Sequence, residues 1–385
     1  MKSKFKLLAP CYFAFFVNGM MVLLVGSILP YLIEEAGVNY SVAGGFLSAF
    51  AIGNLAASFI NPLLVNKIGR KAATVIMSAL IPLSFLVITF VPPVPVIYAA
   101  LVCTGIGRGA VSIINNAVVN DNSDGRPAAL NILHMVFAIG AFLAPFLTAL
   151  YVQMGFNWRA VVYTIIVLST FSVVGYALMN LNYEKEKADD SYIDESQPQK
   201  AFYKNATFYI CGFLLFLYLG LENCVNGWFV TYFKSMNIMS AAYASNLVSI
   251  TWIMVMLGRL MTAKLSAKIN KDKLILTYCI ATAVFFILLI STHNLAVITA
   301  AIAGLGFFFA GIYPTSVSSV GDVLRGSNTG MSMFLALSAL GGIVTPQIVG
   351  IAADKVGLTA AIMVLAFNAA GMLILSAVNV VRRNR

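Results

Sequence analysis

The chain has 385 residues, 60% of them hydrophobic and only 10% charged, with a mean hydropathy of +0.90. A soluble domain carries roughly 25% charged residues, so a water-soluble globule is excluded. Lys and Arg outnumber Asp and Glu by 24 to 14, but they sit in short loops between apolar runs, which argues for a lipid bilayer as the partner and against nucleic acid.

Apolar runs of about 20 residues, enough for a helix to cross a hydrocarbon core, recur along the chain. The first covers 7–35 and follows Lys2, Lys4 and Lys6. It is too long for a signal-peptide core and lacks a small-residue cleavage site, so it reads as a retained helix. Further spans are expected at 40–66, 72–92, 95–120, 128–153 and 158–181. The stretch 182–204 is polar and carries Glu184, Lys185, Glu186, Lys187, Asp189, Asp190, Asp194 and Glu195. It cannot bury apolar surface and reads as a flexible cytoplasmic linker. Six more spans follow at 206–233, 241–268, 273–291, 294–321, 328–353 and 358–381. Lipid leaves no partner for open backbone groups, and barrel strands would show alternation rather than long apolar runs. The expected fold is therefore all-α, with twelve transmembrane helices in two pseudo-symmetric six-helix bundles, residues 1–181 and 205–385.

Placing both termini in the cytoplasm leaves only Arg159, Lys234 and Lys355 in outer loops, with Arg108 and Arg259 inside spans. Every other Lys and Arg is then cytoplasmic, the asymmetry that sets membrane orientation. The two halves read as a duplication: Gly105 and Gly107 pair with Gly304 and Gly306, Pro145 with Pro346, and Gly155 with Gly357, at near-constant offset. Duplicated halves with a site between them are a transporter design.

Other chemistries find no support. Cys11, Cys103, Cys211, Cys224 and Cys279 all fall in apolar runs without metal-ligand spacing and read as small core residues. Gly105-x-Gly107-x-Gly109 lies inside a span rather than after a strand, so it is no dinucleotide loop. There is no P-loop lysine and no Ser/His/Asp constellation. Neither an enzyme nor a bound cofactor or metal is expected.

Twelve spans, a charged central loop and a basic turn after span two resemble the major facilitator superfamily. The turn runs from Asn61 to Gly69-Arg70-Lys71 and resembles that superfamily's loop motif, glycine-x-x-x-aspartate-x-x-glycine-arginine-lysine. Asn61 stands in place of the leading glycine and Val65 in place of the acid. Three segments are similar to the branch of fucose and glucose proton symporters: Leu130-Asn131 with His134, Phe137, Gly140, Ala141 and Pro145; Tyr218 to Trp228 with Tyr232; and Tyr313-Pro314-Thr315. Span one offers Asn18 where some fucose permeases carry an aspartate. The superfamily layout implies a central cavity lined by spans one, four, seven and ten, with Gly69, Arg70 and Lys71 as gating residues.

An ionisable side chain at membrane depth costs about 2.5–3.5 kcal/mol on insertion scales and so needs a partner or a job. Three qualify. Glu222 lies near the middle of span seven, one turn from Tyr218 and from Asn226. A carboxyl there can take up a proton on one side of the membrane and release it on the other, which makes it the proton-coupling candidate. Arg108, midway along span four, is the candidate partner for Glu222 or for an anionic substrate, with Ser112 and Asn115 at helical spacing. Arg259 stands near the cytoplasmic end of span eight, as a snorkelling residue or an inner gate. Candidate substrate ligands are Asn18, Ser112, Asn115, Asn116, Tyr218, Asn226, Trp228, Trp252 and Tyr313, because amides suit hydroxyls and aromatic faces suit apolar ring faces. Each also has a structural reading, as interhelical glue for the amides and packing or interfacial belt for the aromatics.

The resulting expectation is a secondary active transporter in the bacterial inner membrane. It would take up a small polar solute, a sugar, with a proton by alternating access, sodium being the alternative coupling ion. The rivals are an efflux antiporter for drugs or metabolites and a non-transporting membrane sensor. Gly140 and Pro145 loosely resemble the antiporter motif of span five, without the glycine pair that follows it there.

Overall fold

The computed structural model describes residues 2–122, 127–179, 202–266, 268–324 and 327–383. They form twelve helices, each long and apolar enough to cross a membrane, and no strand. The first half holds α1 (Lys2–Ala36), α2 (Tyr40–Ile68), α3 (Arg70–Thr89), α4 (Val94–Asp121), α5 (Pro127–Gln153) and α6 (Arg159–Leu178). The second holds α7 (Ala206–Ser235), α8 (Ala241–Leu265), α9 (Lys271–Ile290), α10 (Leu295–Leu324), α11 (Asn328–Val356) and α12 (Leu358–Arg383). A 3-10 turn at Ile362–Val364 interrupts α12. The expected linker lies outside the described residues except for a 3-10 turn at Phe202–Lys204.

Sequence chemistry sets the helix ends. The side chains of Asn39, Asn205, Ser240, Asn270 and Ser327 each accept a hydrogen bond from a backbone N–H in the first turn that follows, replacing a partner the helix start lacks. Gly69 and Gly357 end α2 and α11 with φ of 83° and 79°, the left-handed region that a side chain disfavours. Their N–H groups close onto Val65 O and Ala353 O, both at 2.9 Å.

Within each half the helices meet through small residues, because lipid supplies no hydrophobic drive between helices and close packing has to hold them. A Cβ on Gly105 of α4 would sit 2.1 Å from Phe50 O of α2, and one on Gly306 of α10 would sit 2.4 Å from Thr251 O of α8. Ala57 against Gly109 in the first half is likewise repeated as Gly258 against Ala310 in the second. The internal repeat is therefore real, but its register differs from the sequence expectation. Gly105 corresponds to Gly306, whereas Gly304 packs on Phe285 of α9. Glycine spacing alone could not choose between neighbouring glycines on one helix.

The halves meet along α2 and α11, α5 and α8, and α1 and α7. The contacts gather on the side opposite the termini, here called the far side. Ser48 Oγ donates to Ile343 O at 2.6 Å, Gln347 Nε2 to Ser41 O at 3.1 Å, and Lys234 pairs with Glu34 at 3.6 Å. Tyr40 and Ser41 donate their backbone N–H groups to Asp354. Nearer the middle, Ser249 Oγ donates to Phe142 O at 3.0 Å. Among the described residues, no hydrogen bond joins the halves on the side of the termini. The molecule is closed at the far side.

Candidate functional site

Glu222 of α7 and Arg108 of α4 come from different halves, and each is half-buried at mid-membrane depth in the interior between them. Glu222 Oε1 accepts from Tyr218 OH at 2.8 Å, one turn back on the same helix. The same hydroxyl lies 3.2 Å from Phe309 O of α10. A phenol has one proton to donate, so its two acceptors compete for it. With Glu222 ionised, the hydroxyl donates to the carboxylate. With Glu222 protonated, Tyr218 is free to donate to Phe309 O and tie α7 to α10.

Arg108 and Arg259 both lie close enough to Glu222 for their charges to interact, without an ion pair closing among the described residues. The Arg108 guanidinium rests over the Phe50 ring at 5.8 Å, and its Nε is buried with no hydrogen-bond partner. Arg259 is exposed on α8, and the fields of Arg259 and His134 of α5 overlap. His134 was not among the sequence candidates. It packs edge-on to Phe15 at 5.4 Å, and only the folded α5–α8 contact brings it near Arg259.

The remaining candidates separate into groups. Asn226 is buried and accepts from Trp252 Nε1 at 3.2 Å, and Trp252 packs on Phe137 at 5.8 Å. Tyr313 is half-buried with its ring 6.5 Å from that of Tyr218. Asn116 is half-buried and donates to Ser112 O at 2.8 Å. Asn226 stands one turn beyond Glu222 on α7, whereas Asn116 lies two turns beyond Arg108 on α4. Asn18 is fully buried, with Nδ2 3.5 Å from Arg108 O and Oδ1 unpartnered. Asn115 is turned away, its Oδ1 accepting from Tyr176 OH of α6 at 2.8 Å. Trp228 is fully buried in the far-side layer, where it donates to Pro346 O at 3.1 Å and packs on Tyr40. In this structure, Asn115 ties α4 to α6, and Trp228 ties α7 to α11 while its ring packs across to α2 of the other half.

Gly69, Arg70 and Lys71 form the α2–α3 corner, where Arg70 approaches Asp121 of α4 at 3.8 Å. The acid missing at Val65 reappears elsewhere. Gly350, Asp354 and Gly357 at the end of α11 keep the glycine-x-x-x-aspartate-x-x-glycine spacing intact, and each position has a task. Gly350 allows Tyr40 O to approach, Asp354 caps α2, and Gly357 turns the chain into α12. The spacing was visible in the sequence, but the partner helix was not.

The Major Facilitator Superfamily profile matches residues 11–346, and the chain belongs to that family. It is a multi-pass membrane transporter and not an enzyme. The glucose/mannose transporter GlcP of Bacillus subtilis is 22% identical, over 88% of this chain and 86% of its own. Among solved structures, a D-xylose-proton symporter superposes with a TM-score of 0.80 at 11% identity, covering 97% of each chain. The E. coli fucose:proton symporter FucP superposes with a TM-score of 0.62 at 18% identity, covering 97% of this chain and 98% of its own.

Proposed function

We propose that this protein imports a small polar solute, a sugar, together with protons, by alternating access in the bacterial inner membrane with both termini in the cytoplasm. The observation that carries the reading is Glu222. Its carboxyl is the acid at mid-membrane depth among the described residues, it faces a cation from the opposite half, and its hydrogen bond to Tyr218 competes with a bond to α10. Proton binding therefore has a route to helix packing. The basic residues on the side of the termini support the orientation, and the names of the relatives support a sugar. On this topology the far side is periplasmic and the structure is the inward-facing state, with Tyr218, Asn226, Trp252 and Tyr313 beside the solute and Arg259 at the inner mouth.

The test is uptake into proteoliposomes driven by a pH gradient. Glu222→Gln should abolish uphill uptake and spare exchange of solute across the membrane. Undiminished uphill uptake in that variant would overturn the coupling role.

A further inference from the structure

The middle of the molecule holds one guanidinium group, that of Arg108, and one carboxylate, that of Glu222, with the exposed Arg259 nearer the end of α8. Among the described residues, the other acids of the helices around Glu222 fall at helix ends in the sequence: Glu34 and Glu35 on α1, Asp121 on α4, Asp322 on α10, and Asp354 on α11. The groups that face Glu222 are Tyr218 on its own helix, Arg108 from α4, Arg259 from α8 and Tyr313 from α10. On α12 the charges are Arg382 and Arg383 at its end, directed to Thr207 and Asp272. The interior charges of Arg108 and Glu222 therefore balance without pairing, and a proton on Glu222 would leave one positive charge unbalanced.

Arg108 is the interior cation that closes no ion pair among the described residues. Glu222 has its oxygen on Tyr218 and makes no ion pair with Arg108. The Arg108 guanidinium is left with the Phe50 face, and Nε has no partner. A guanidinium is a planar fork that binds carboxylates in bidentate fashion, and a buried cation without an anion is costly. On the Glu222 side, the Asn226 amide bonded to Trp252 and the neighbouring rings of Tyr218 and Tyr313 are groups suited to hydroxyls and to the apolar face of a pyranose.

We infer that the transported solute is a sugar acid, a polyhydroxylated monocarboxylate whose carboxylate is held by Arg108. The inference rests on the reading of Glu222 as the proton carrier and narrows its substrate. It also supplies the coupling rule. An ionised Glu222 competes with the solute carboxylate for the field of Arg108, and a protonated Glu222 yields it, so proton and anion favour each other's binding reciprocally. One proton moving with one monoanion carries no net charge. Uptake of the acid is then driven by a pH gradient and is indifferent to membrane potential, whereas a neutral sugar moving with a proton would be electrogenic.

The experiment compares the thermal stability of the purified protein with D-glucose, D-glucuronate and D-gluconate at an acidic and a neutral pH, since a ligand of the folded state raises its stability. The expected result is stabilisation by an acid, stronger at acidic pH, and none by glucose. Arg108→Gln should weaken acid binding about tenfold or more, with Arg108→Lys retaining part of it. Potential-independent uptake of the same acid by proteoliposomes should follow. Stabilisation by glucose with none by either acid overturns the inference and leaves the sugar reading standing. Acid binding unchanged in a folded Arg108→Gln variant overturns it as well. Silence from all three ligands overturns both readings.

Discussion

The carboxylate of Asp354, at the end of α11, accepts hydrogen bonds from the backbone N–H of Tyr40 at 2.8 Å and of its neighbour Ser41 at 2.9 Å. An acid from the second half thus caps the first turn of α2 in the first half, where free N–H groups and the helix dipole favour negative charge. The cap exists only while the far side is closed. Losing it should cost the closed state about 1–2 kcal/mol, near a tenfold change in the conformational equilibrium. Spin labels at Gly37 and Asn237, on far-side turns of opposite halves, should report a longer distance population in Asp354→Ala. An unchanged distance distribution would mean that the cap does not bias the equilibrium.

Closure also needs an unobstructed contact between α1 and α7. A Cβ at Gly26 would sit 1.9 Å from Asn226 O, on backbone that cannot yield as a flexible side chain can. Gly26→Val should hold the far side open. Solute exchange should be lost, while a cysteine placed at Ser41 becomes reactive to a membrane-impermeant thiol reagent from the far side. A protected Ser41→Cys in this background would count against the prediction.

Tyr218 serves two acceptors with one proton. Tyr218→Phe leaves both Glu222 Oε1 and Phe309 O without that donor, and a buried acceptor without a partner costs about 1–3 kcal/mol. The variant should melt lower and lose uphill uptake more than exchange. Equal loss of both would assign the hydroxyl a purely structural role.

Asn115 and Asn116 are neighbours in sequence with opposite surroundings. Asn115→Leu strands the buried hydroxyl of Tyr176 and should lower the thermal midpoint, by about 1–3 kcal/mol of stability, with KM unchanged. Asn116→Leu should leave stability close to wild type and raise KM, because its side chain is half-buried and bonded within its own turn rather than to another helix. Titration of binding with each variant separates the two, and reversed behaviour would relocate the site.

Much of this was legible in the sequence. The twelve spans and their ends agree to within a few residues: the expected 40–66 became Tyr40–Ile68, and 206–233 became Ala206–Ser235. Lipid explains that success, since a backbone that finds no partner outside itself must be helical wherever an apolar run is long enough. That Glu222, Arg108 and Arg259 fall inside spans was also legible, because charge within an apolar run is costly enough to mark itself. The register of the repeat was not, because several glycines on one helix offered equally good offsets.

What the sequence determined by itself is the helical class, the number of spans and the few charges that the membrane interior must accommodate, all consequences of chain meeting solvent. Tertiary structure alone decided which polar groups share a space. Successive residues on a helix point about 100° apart, so Asn115 meets Tyr176 while Asn116 does not, and Trp228 plugs the far side while Trp252 holds Asn226. The cap from Asp354 to Tyr40 joins residues at opposite ends of the chain, and only the docking of α11 on α2 brings them together.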